Sequence, residues 1–258
     1  MQTVLSPSLP RAALVTGGAR RIGKAIALAL AGAGFAVAIH VRRSREAGET
    51  AAEEIRAAGG RAEVLTADLG DETAVQALLP QAQAALGPIG VLINNASAFD
   101  RDEWNTTTRT SWDSHLEPGL RAPFVLMQAL AAALPETAEG VVINMLDQRV
   151  WSITPHFVSY TVAKVGLWAL TQQMALALAP RIRVNGIGPG PTLPSPRQTA
   201  DQFARQCASV PLRRGATPEE IGRAALAIIG LRSMTGQMIA LDGGQHLQWG
   251  SSGRAHPE

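Results

Sequence analysis

The sequence predicts an α/β fold in which one doubly wound (Rossmann-type), mostly parallel sheet is covered by helices on both faces. Short apolar runs alternate with helical stretches along the whole chain. Runs such as AALVT and VVINM are almost continuously apolar, as expected for parallel strands that are buried on both faces. The chain has 258 residues, of which 46% are hydrophobic, and this suits one large domain with a buried core.

The elements follow one another regularly. Seven strands are predicted, at 12–16, 35–41, 62–67, 91–94, 141–145, 182–187 and 238–241. Six helices are predicted between them, at 22–33, 46–58, 72–86, 110–134, 158–179 and 218–229. We expect residues 11–248 to form a single domain. Residues 1–10 and 249–258 are polar or contain proline, and we expect both to be flexible ends.

One connection is unusually long. Residues 188–215 carry five prolines between a predicted strand and the last predicted helix. Long connections in compact domains are often lids or binding loops, and doubly wound sheets bind ligands beyond the carboxyl ends of their strands. We therefore expect residues 189–215 to be a substrate-binding loop, although an ordinary surface excursion fits the same pattern.

Composition excludes several classes of function. The net charge is only +2 and the arginine pairs are scattered, which argues against nucleic acid as a partner. No apolar run reaches the ~18–20 residues that a membrane span needs, and the N-terminus does not resemble a signal peptide. A single cysteine, Cys207, favours a reducing, cytoplasmic setting. The spacing of histidines and cysteine predicts no metal site.

The segment ALVTGGARRIGKAIALAL predicts a strand, a glycine turn and a helix. Gly17 and Gly18 allow a tight turn, and Gly23 lets the helix approach the sheet. The N-terminus of such a helix offers free N–H groups and a partial positive charge to a phosphate. Because this is the first βα unit of an alternating chain, it predicts a dinucleotide-binding site rather than a purely structural turn.

The end of the second predicted strand indicates which dinucleotide binds. Sites for NAD usually place an acidic residue there, but the segment AIHVRRS contains none. Arginine forks suit a 2′-phosphate, which a carboxylate would repel. The sequence therefore predicts NADPH, held by cations and donors of the second strand and the glycine turn: His40, Arg42, Arg43, Ser44, Arg20 and Arg21.

Two further strand ends carry cofactor candidates. Asp68 and Leu69 follow the third strand, where they could hold an adenine edge, although a helix N-cap is an equally simple role for Asp68. The segment INNAS ends the fourth strand with Asn95, Ala96 and Ser97. Small side chains let this backbone lie close to a cofactor, while the asparagines can tie neighbouring strands together.

Tyr160 is the only tyrosine of the chain, and Lys164 follows it by four residues. On a helix, this spacing places both side chains on one face. A tyrosine hydroxyl has a reference pKa of ~10, and a nearby ammonium group lowers it. By itself the pattern fits a core aromatic residue and a solvated lysine equally well. In the company of the other motifs it predicts a catalytic pair.

Together the motifs resemble the short-chain dehydrogenase/reductases. TGGARRIG, NNAS, YTVAK, RVNGIGPG and TGQMIALDGG occur in that family's order and at its spacing, over roughly residues 11–248. The resemblance implies a dinucleotide-binding and catalytic domain, a reductase activity and a homotetramer. It also implies cofactor contacts from Tyr160 and Lys164 and from Ile22, Pro189 and Gly190.

Three details are similar to the pteridine reductases, which reduce pterins with NADPH. The family's second turn glycine is replaced by Arg21, and Asp147 stands 13 residues before Tyr160, where the family usually has serine. Phe99 follows NNAS by two residues, where that group has an aromatic side chain that stacks on the pterin. Asp147 would then bias Tyr160 toward proton donation to a C=N nitrogen; a helix cap or a surface carboxylate is the simpler alternative for this residue.

Other positions complete the predicted site. Substrate contacts are expected from Ser97, Phe99, Asp147, Trp151, Tyr160 and Leu193, with Trp151 either a wall of the pocket or a packing residue. Gly119 stands where the family usually has an asparagine that helps hold a water of the proton relay. The alternatives to a pteridine-type reductase are a ketone or 3-oxoacyl reductase of the same family, and an NADPH-binding sensor or scaffold without turnover.

Overall fold

The fold is a seven-stranded, wholly parallel sheet with helices on both faces, seen in a computed structural model that describes residues 5–248. The strands are β1 (Ala12–Val15), β2 (Ala36–Val41), β3 (Ala62–Thr66), β4 (Val91–Asn94), β5 (Gly140–Met145), β6 (Ile182–Pro189) and β7 (Met238–Leu241). Their order across the sheet is β3-β2-β1-β4-β5-β6-β7. The predicted fold class and the seven predicted strands are confirmed.

Eight α-helices connect the strands: α1 (Arg21–Gly32), α2 (Arg45–Ala57), α3 (Glu72–Leu86), α4 (Arg109–Leu116), α5 (Ala122–Ala133), α6 (Val158–Ala177), α7 (Ala200–Ser209) and α8 (Pro218–Gly230), counted within residues 5–248. No helix of that part of the chain is long and apolar enough to cross a membrane. Because strand side chains alternate between faces, Leu14 and Leu92 join α3, α5 and α6 in one core. Val15 and Ile93 join α1, α2 and α8 in the other.

The strand order indicates where a ligand can bind, at the carboxyl edge of the sheet. β1 pairs with β2 on one side and with β4 on the other, so the loops that follow β1 and β4 diverge at the carboxyl edge. Open parallel sheets bind ligands in the crevice that this divergence creates. The glycine turn after β1 and the NNAS segment after β4 meet at this point.

The structure corrects part of the predicted N-terminal segment. Residues 5–10, expected to be flexible, are fixed to the domain: Ser6 and Leu9 are each 4% exposed, and the carbonyl of Ser8 accepts a hydrogen bond from the N–H of Glu139. Leu9 belongs to the core that contains α1 and α8. Residues 1–4 and 249–258 lie outside the described residues.

Two predicted elements also differ. The helix predicted at 110–134 is interrupted by a π-helical turn, Glu117–Arg121, that separates α4 from α5. Pro118 and Pro123 lack the N–H groups that a continuous helix needs, which explains the irregular hydrogen bonding. The proline-rich connection, predicted without a helix, contains α7, whose N-terminus has a capping box between Thr199 and Gln202.

Candidate active site

The glycine turn is held by the end of β4. Asn95 donates its side-chain amide to the carbonyls of Thr16 (2.8 Å) and Gly17 (3.1 Å). Gly17 has a φ of +63°, and a Cβ at Gly23 would overlap the carbonyl oxygen of Gly17. No side chain caps the N-terminus of α1, so its first N–H groups are available to a phosphate. These features fit a dinucleotide pyrophosphate at the turn.

A groove of about 640 Å³ continues from the turn toward the ends of β2 and β3. Asp68 lies there beside Arg42, whose Nε and Nη2 are 3.0 and 2.9 Å from Oδ2 of the carboxylate. The N–H of Gly70 and then the Arg42 guanidinium lower the pKa of Asp68, so it is ionised at neutral pH. Seven of the predicted cofactor residues line this groove: Gly17, His40, Arg42, Asp68, Leu69, Ala96 and Ser97.

His40 does not have the position or the charge that the sequence predicted for it as a cofactor-binding cation. It is buried, its Nδ1 accepts the N–H of Gly17 (3.2 Å), and its Nε2 lies 3.0 Å from the carbonyl of Ala67. A nitrogen that accepts carries no proton, so the ring is neutral with the proton on Nε2. Burial lowers its pKa. His40 therefore braces the groove between β1 and β3 instead of supplying charge.

Arg21 also departs from its predicted position near a 2′-phosphate. Its guanidinium crosses the cleft and donates to the carbonyls of Pro194 (3.0 Å) and Leu193 (3.4 Å) in the proline-rich connection. The loop is thus fastened to the glycine turn. Arg20 and Arg43 are exposed and Ser44 is half-buried at the start of α2; none of the three lines either cavity.

The predicted catalytic residues converge on one point. Tyr160 and Lys164 lie on α6, and Asp147 follows β5. The Tyr160 hydroxyl donates to Oδ2 of Asp147 at 2.8 Å, and the Lys164 ammonium donates to the carbonyl of Met145 at 2.6 Å. Oδ1 of Asp147 accepts the N–H of Arg149 at 2.9 Å. Asp147 also caps the 3₁₀ turn Gln148–Val150, as one of its alternative roles predicted, but neither a cap nor a surface carboxylate accounts for its bond to Tyr160.

Burial and charge set the protonation of this group. Burial, followed by the charge and hydrogen bond of Asp147, raises the pKa of Tyr160 well above its ordinary value. Burial lowers the pKa of Lys164 to about 8, against an opposing effect of Asp147. At neutral pH Tyr160 is therefore a protonated phenol bonded to the carboxylate of Asp147, and Lys164, on the same helix, is an ammonium group.

A cavity of about 240 Å³ opens at this group, bounded by β5, α6 and the proline-rich connection. Eleven residues of the predicted site line it: Arg21, Ile22, Asn95, Ser97, Phe99, Asp147, Tyr160, Lys164, Pro189, Gly190 and Leu193. Phe99 stands edge-on to the ring of Tyr160, with centroids 4.8 Å apart and planes at 69°. Ser97 lines both this cavity and the groove, so the two adjoin at this residue.

Trp151 does not line this cavity, contrary to its predicted role as a wall for the substrate. Its ring packs against Trp168 and His246, with centroids 6.4 and 5.1 Å apart. The packing alternative is the one that the structure shows. The short 3₁₀ turn Gln148–Val150 directs the chain away from the cavity before Trp151.

Sequence reasoning missed several lining residues. Gln148 and Arg149 follow Asp147 directly, and Phe203 and Gln206 come from α7, which was not predicted. The Thr199–Gln202 capping box could have revealed α7. Among residues 5–248, the buried atoms Gln148 Oε1 and Arg149 Nη1 have no hydrogen-bond partner.

Gly119 lies within the π-helical turn, against α6. A Cβ at this position would meet only the Cβ of Ala163, at 3.4 Å, which is an ordinary contact. There is therefore room for a side chain at position 119, and steric crowding by Ala163 does not explain why this residue is glycine.

The chain belongs to the short-chain dehydrogenase/reductase family of oxidoreductases: the family model described as short chain dehydrogenase matches residues 11–204. The structure is similar to the crystal structure of FolM alternative dihydrofolate reductase 1 from Brucella canis complexed with NADP. That likeness has a TM-score of 0.92 and 49% identity over 96% of this chain and 98% of the other.

Two further proteins are similar to this chain. The Brucella suis FolM alternative dihydrofolate reductase 1, also in complex with NADP, has a TM-score of 0.90 and 51% identity over 93% of this chain and 96% of its own. The 3-oxoacyl-acyl-carrier-protein reductase FabG of Staphylococcus aureus is 30% identical over 93% of this chain and 99% of its own.

Proposed function

We propose that this protein is an NADPH-dependent reductase of a dihydropterin-type C=N bond, such as that of a dihydropterin or dihydrofolate, with Tyr160 as the proton donor. The observation that carries the proposal is the 2.8 Å hydrogen bond from Tyr160 to Asp147 in a cavity that Phe99 also lines. NADP in both Brucella structures agrees with the predicted cofactor, and the names of those proteins agree with the substrate class.

The cofactor would lie along the groove and the glycine turn. Gly17, the N-terminus of α1 and Ser97 would hold it, with Lys164 toward the nicotinamide ribose. Arg43 would face the 2′-phosphate, and Arg42 would reach it by leaving the carboxylate of Asp68. When bound, NADPH supplies the hydride. The residues of the chain orient the substrate and give the proton.

Asp147 makes the site suited to a nitrogen heterocycle. A carboxylate accepts hydrogen bonds but cannot donate them, so Tyr160 holds its proton while bonded to Asp147. The same carboxylate can accept an N–H of the substrate ring or of its exocyclic amine. Tyr160 would then give its proton to the ring nitrogen as hydride reaches the adjacent carbon, which adds both across the C=N bond. General acid assistance of this type contributes ~10²–10⁴ to the rate.

Reduction of a ketone or 3-oxoacyl group is the second candidate, and the similarity to the 3-oxoacyl reductase FabG favours it. Tyr160 and Lys164 would serve a carbonyl oxygen as well. Asp147 separates the two candidates, because a carbonyl oxygen needs a donor and an ionised carboxylate has none to offer. A sensor or scaffold without turnover has no support from the site, since the Tyr160–Lys164 pair is assembled.

The deciding experiment measures NADPH oxidation with dihydrobiopterin, dihydrofolate, dihydromonapterin and several ketones, for the wild type, Asp147→Ser and Asp147→Ala. We expect the wild type to prefer a pteridine and both variants to lose pteridine turnover. Asp147→Ser should retain or gain ketone reduction, because it restores the side chain that is usual in the family. Unchanged pteridine turnover in both variants would refute the role of Asp147, and ketone preference in the wild type would favour the second candidate.

We also propose a cytoplasmic homotetramer. An open apolar groove lies between the π-helical turn, α5 and α6, where Leu116, Leu120, Phe124 and Leu170 line it, and Leu176 of α6 is 83% exposed. Apolar surface of this kind favours association with another copy. Sedimentation velocity should give a tetramer, and a monomer at every concentration would contradict the assignment.

A further inference from the structure

Phe157 lies directly before α6, and its backbone is in the left-handed region, with φ 59° and ψ 54°. Bulky residues rarely adopt this conformation, because their Cβ then lies close to the following carbonyl oxygen. Backbone strain of this kind persists only where the surroundings hold it, and it is concentrated at functional sites. Phe157 is three residues before Tyr160.

Asp102 holds Phe157 in this conformation. The carbonyl of Asp102 accepts the N–H of Phe157 at 2.9 Å. Its carboxylate accepts the N–H and Oγ–H of Ser159, at 3.2 and 2.5 Å. Asp102 is 4% exposed and lies on the loop that follows β4, three residues after Phe99. The loop that carries Phe99 is therefore fastened to the start of the catalytic helix.

The rings of Phe157 and Phe99 are stacked, with centroids 4.7 Å apart and planes at 2°. Phe99 lines the substrate cavity, whereas Phe157 does not, so Phe157 supports Phe99 from outside the cavity. Cζ of Arg149 lies 4.7 Å from the centre of the Phe157 ring and 5.7 Å from that of Phe99. Cζ of Arg197 lies 5.4 Å from the centre of the Phe99 ring, and its Nη2 donates to the carbonyl of Phe99 at 2.7 Å.

We propose that Phe157 is a positioning residue that fixes the plane of Phe99, and through it the plane of a flat heterocyclic substrate beside Tyr160. The left-handed backbone is what brings the Phe157 ring parallel to that of Phe99. This inference rests on the proposed function in taking Phe99 as the surface on which the substrate stacks.

A double-mutant cycle tests the inference, with Phe99→Leu, Phe157→Leu and the double variant. The readouts are the Kd of oxidised biopterin for the complex with NADP⁺, and the KM and kcat for dihydrobiopterin. An aromatic pair of this geometry is worth a factor of about 2–10 in affinity. We expect Phe157→Leu to raise Kd and KM by that factor with the KM for NADPH unchanged. The double variant should bind no more weakly than Phe99→Leu, because Phe157 acts only through Phe99.

Two other substitutions separate positioning from backbone strain. Asparagine adopts the left-handed region readily, so Phe157→Asn should unfold at a higher temperature than Phe157→Leu but bind biopterin as weakly. Phe157→Tyr keeps the ring and should restore wild-type affinity. Wild-type affinity in both Phe157→Leu and Phe157→Asn, or additive losses in the double variant, would overturn the inference.

Failure of the proposed function has a different signature. If the wild type neither binds biopterin nor reduces a pteridine but reduces ketones, the substrate class is wrong. The ratio of KM values for a planar aromatic and an aliphatic ketone then decides the role of Phe157. A ratio raised in Phe157→Leu and restored in Phe157→Tyr supports positioning, and an unchanged ratio refutes it.

Discussion

The hydroxyl of Tyr160 donates to Oδ2 of Asp147 across 2.8 Å, so a carboxylate after β5 adds to burial in raising the pKa of the tyrosine on α6. The positive charge of Arg149 acts in the opposite direction and lowers the pKa of Tyr160. Asp147 therefore favours the protonated phenol, which is the form that the proposed proton donation requires.

The single tyrosine makes its own ionisation directly observable. The phenolate absorbance of the folded protein should report Tyr160 alone, and the midpoint of its titration should lie well above pH 10. Asp147→Asn removes the negative charge and should move the midpoint to lower pH. A midpoint that does not move would show that burial alone, without Asp147, raises the pKa.

Lys164 should make stability depend on pH in a defined window. Its pKa is about 8 in the folded protein and about 10.5 when unfolded. Between those values the unfolded chain binds more protons, so the free energy of unfolding rises with pH, by about 3 kcal/mol in total. Lys164→Met should abolish this rise. Urea unfolding of both proteins from pH 7 to 10.5 measures the difference, and parallel curves would contradict the burial of a charged Lys164.

Two glycines of α1 should respond in opposite ways to the same substitution. A Cβ at Gly23 would overlap the carbonyl of Gly17 and crowd the amide of Asn95, so Gly23→Ala should displace the glycine turn and weaken NADPH binding. A Cβ at Gly32 would meet nothing within 4 Å, and Gly32→Ala should stabilise the helix by about 0.5–1 kcal/mol. Isothermal titration with NADPH and thermal unfolding measure the two effects. Equal affinities for NADPH would contradict the close approach at Gly23.

The cofactor preference should depend on Arg43. Arg43→Asp places a carboxylate near the expected 2′-phosphate, and we expect it to raise the KM for NADPH much more than the KM for NADH. Arg61→Asp makes the same change of charge before the amino end of β3, at the opposite edge of the sheet, and should alter neither KM. Equal effects of Arg43→Asp on both cofactors would refute the assignment.

Asp102 should stabilise the folded protein and hold the first turn of α6 in place. Burial by itself would raise the pKa of Asp102, but the hydrogen bonds from Ser159 outweigh burial and the pKa is lowered. Since the folded pKa lies below the unfolded one, this contribution is present above the unfolded pKa and is lost as the pH falls through the folded pKa. Asp102→Asn should destabilise the protein at pH 7 and flatten the acid limb of its unfolding curve. An unchanged acid limb would show that Asp102 does not bear that charge.

Local spacing was sufficient to predict much of this protein. Continuous apolar runs predicted the strands, because each strand of a doubly covered parallel sheet is buried on both faces. The glycines after β1 predicted the turn, and the interval of four residues predicted the shared face of Tyr160 and Lys164. Asp147 was found through the family resemblance, at the position where the family usually has serine, and the structure places its side chain in contact with Tyr160.

The tertiary structure decided the contacts between residues that are distant in the chain. Arg21 and Pro194 are 173 residues apart, and only the folded chain brings the guanidinium across the cleft instead of toward the second strand. Arg42 meets Asp68 because β2 and β3 are neighbours, and Trp151 turns outward because a 3₁₀ turn precedes it. Phe157 belongs to no sequence motif, since its left-handed backbone and its stacking on Phe99 exist only in the folded chain. Sequence periodicity determines which residues form a strand or share a helix face, whereas side-chain partners depend on how those elements pack.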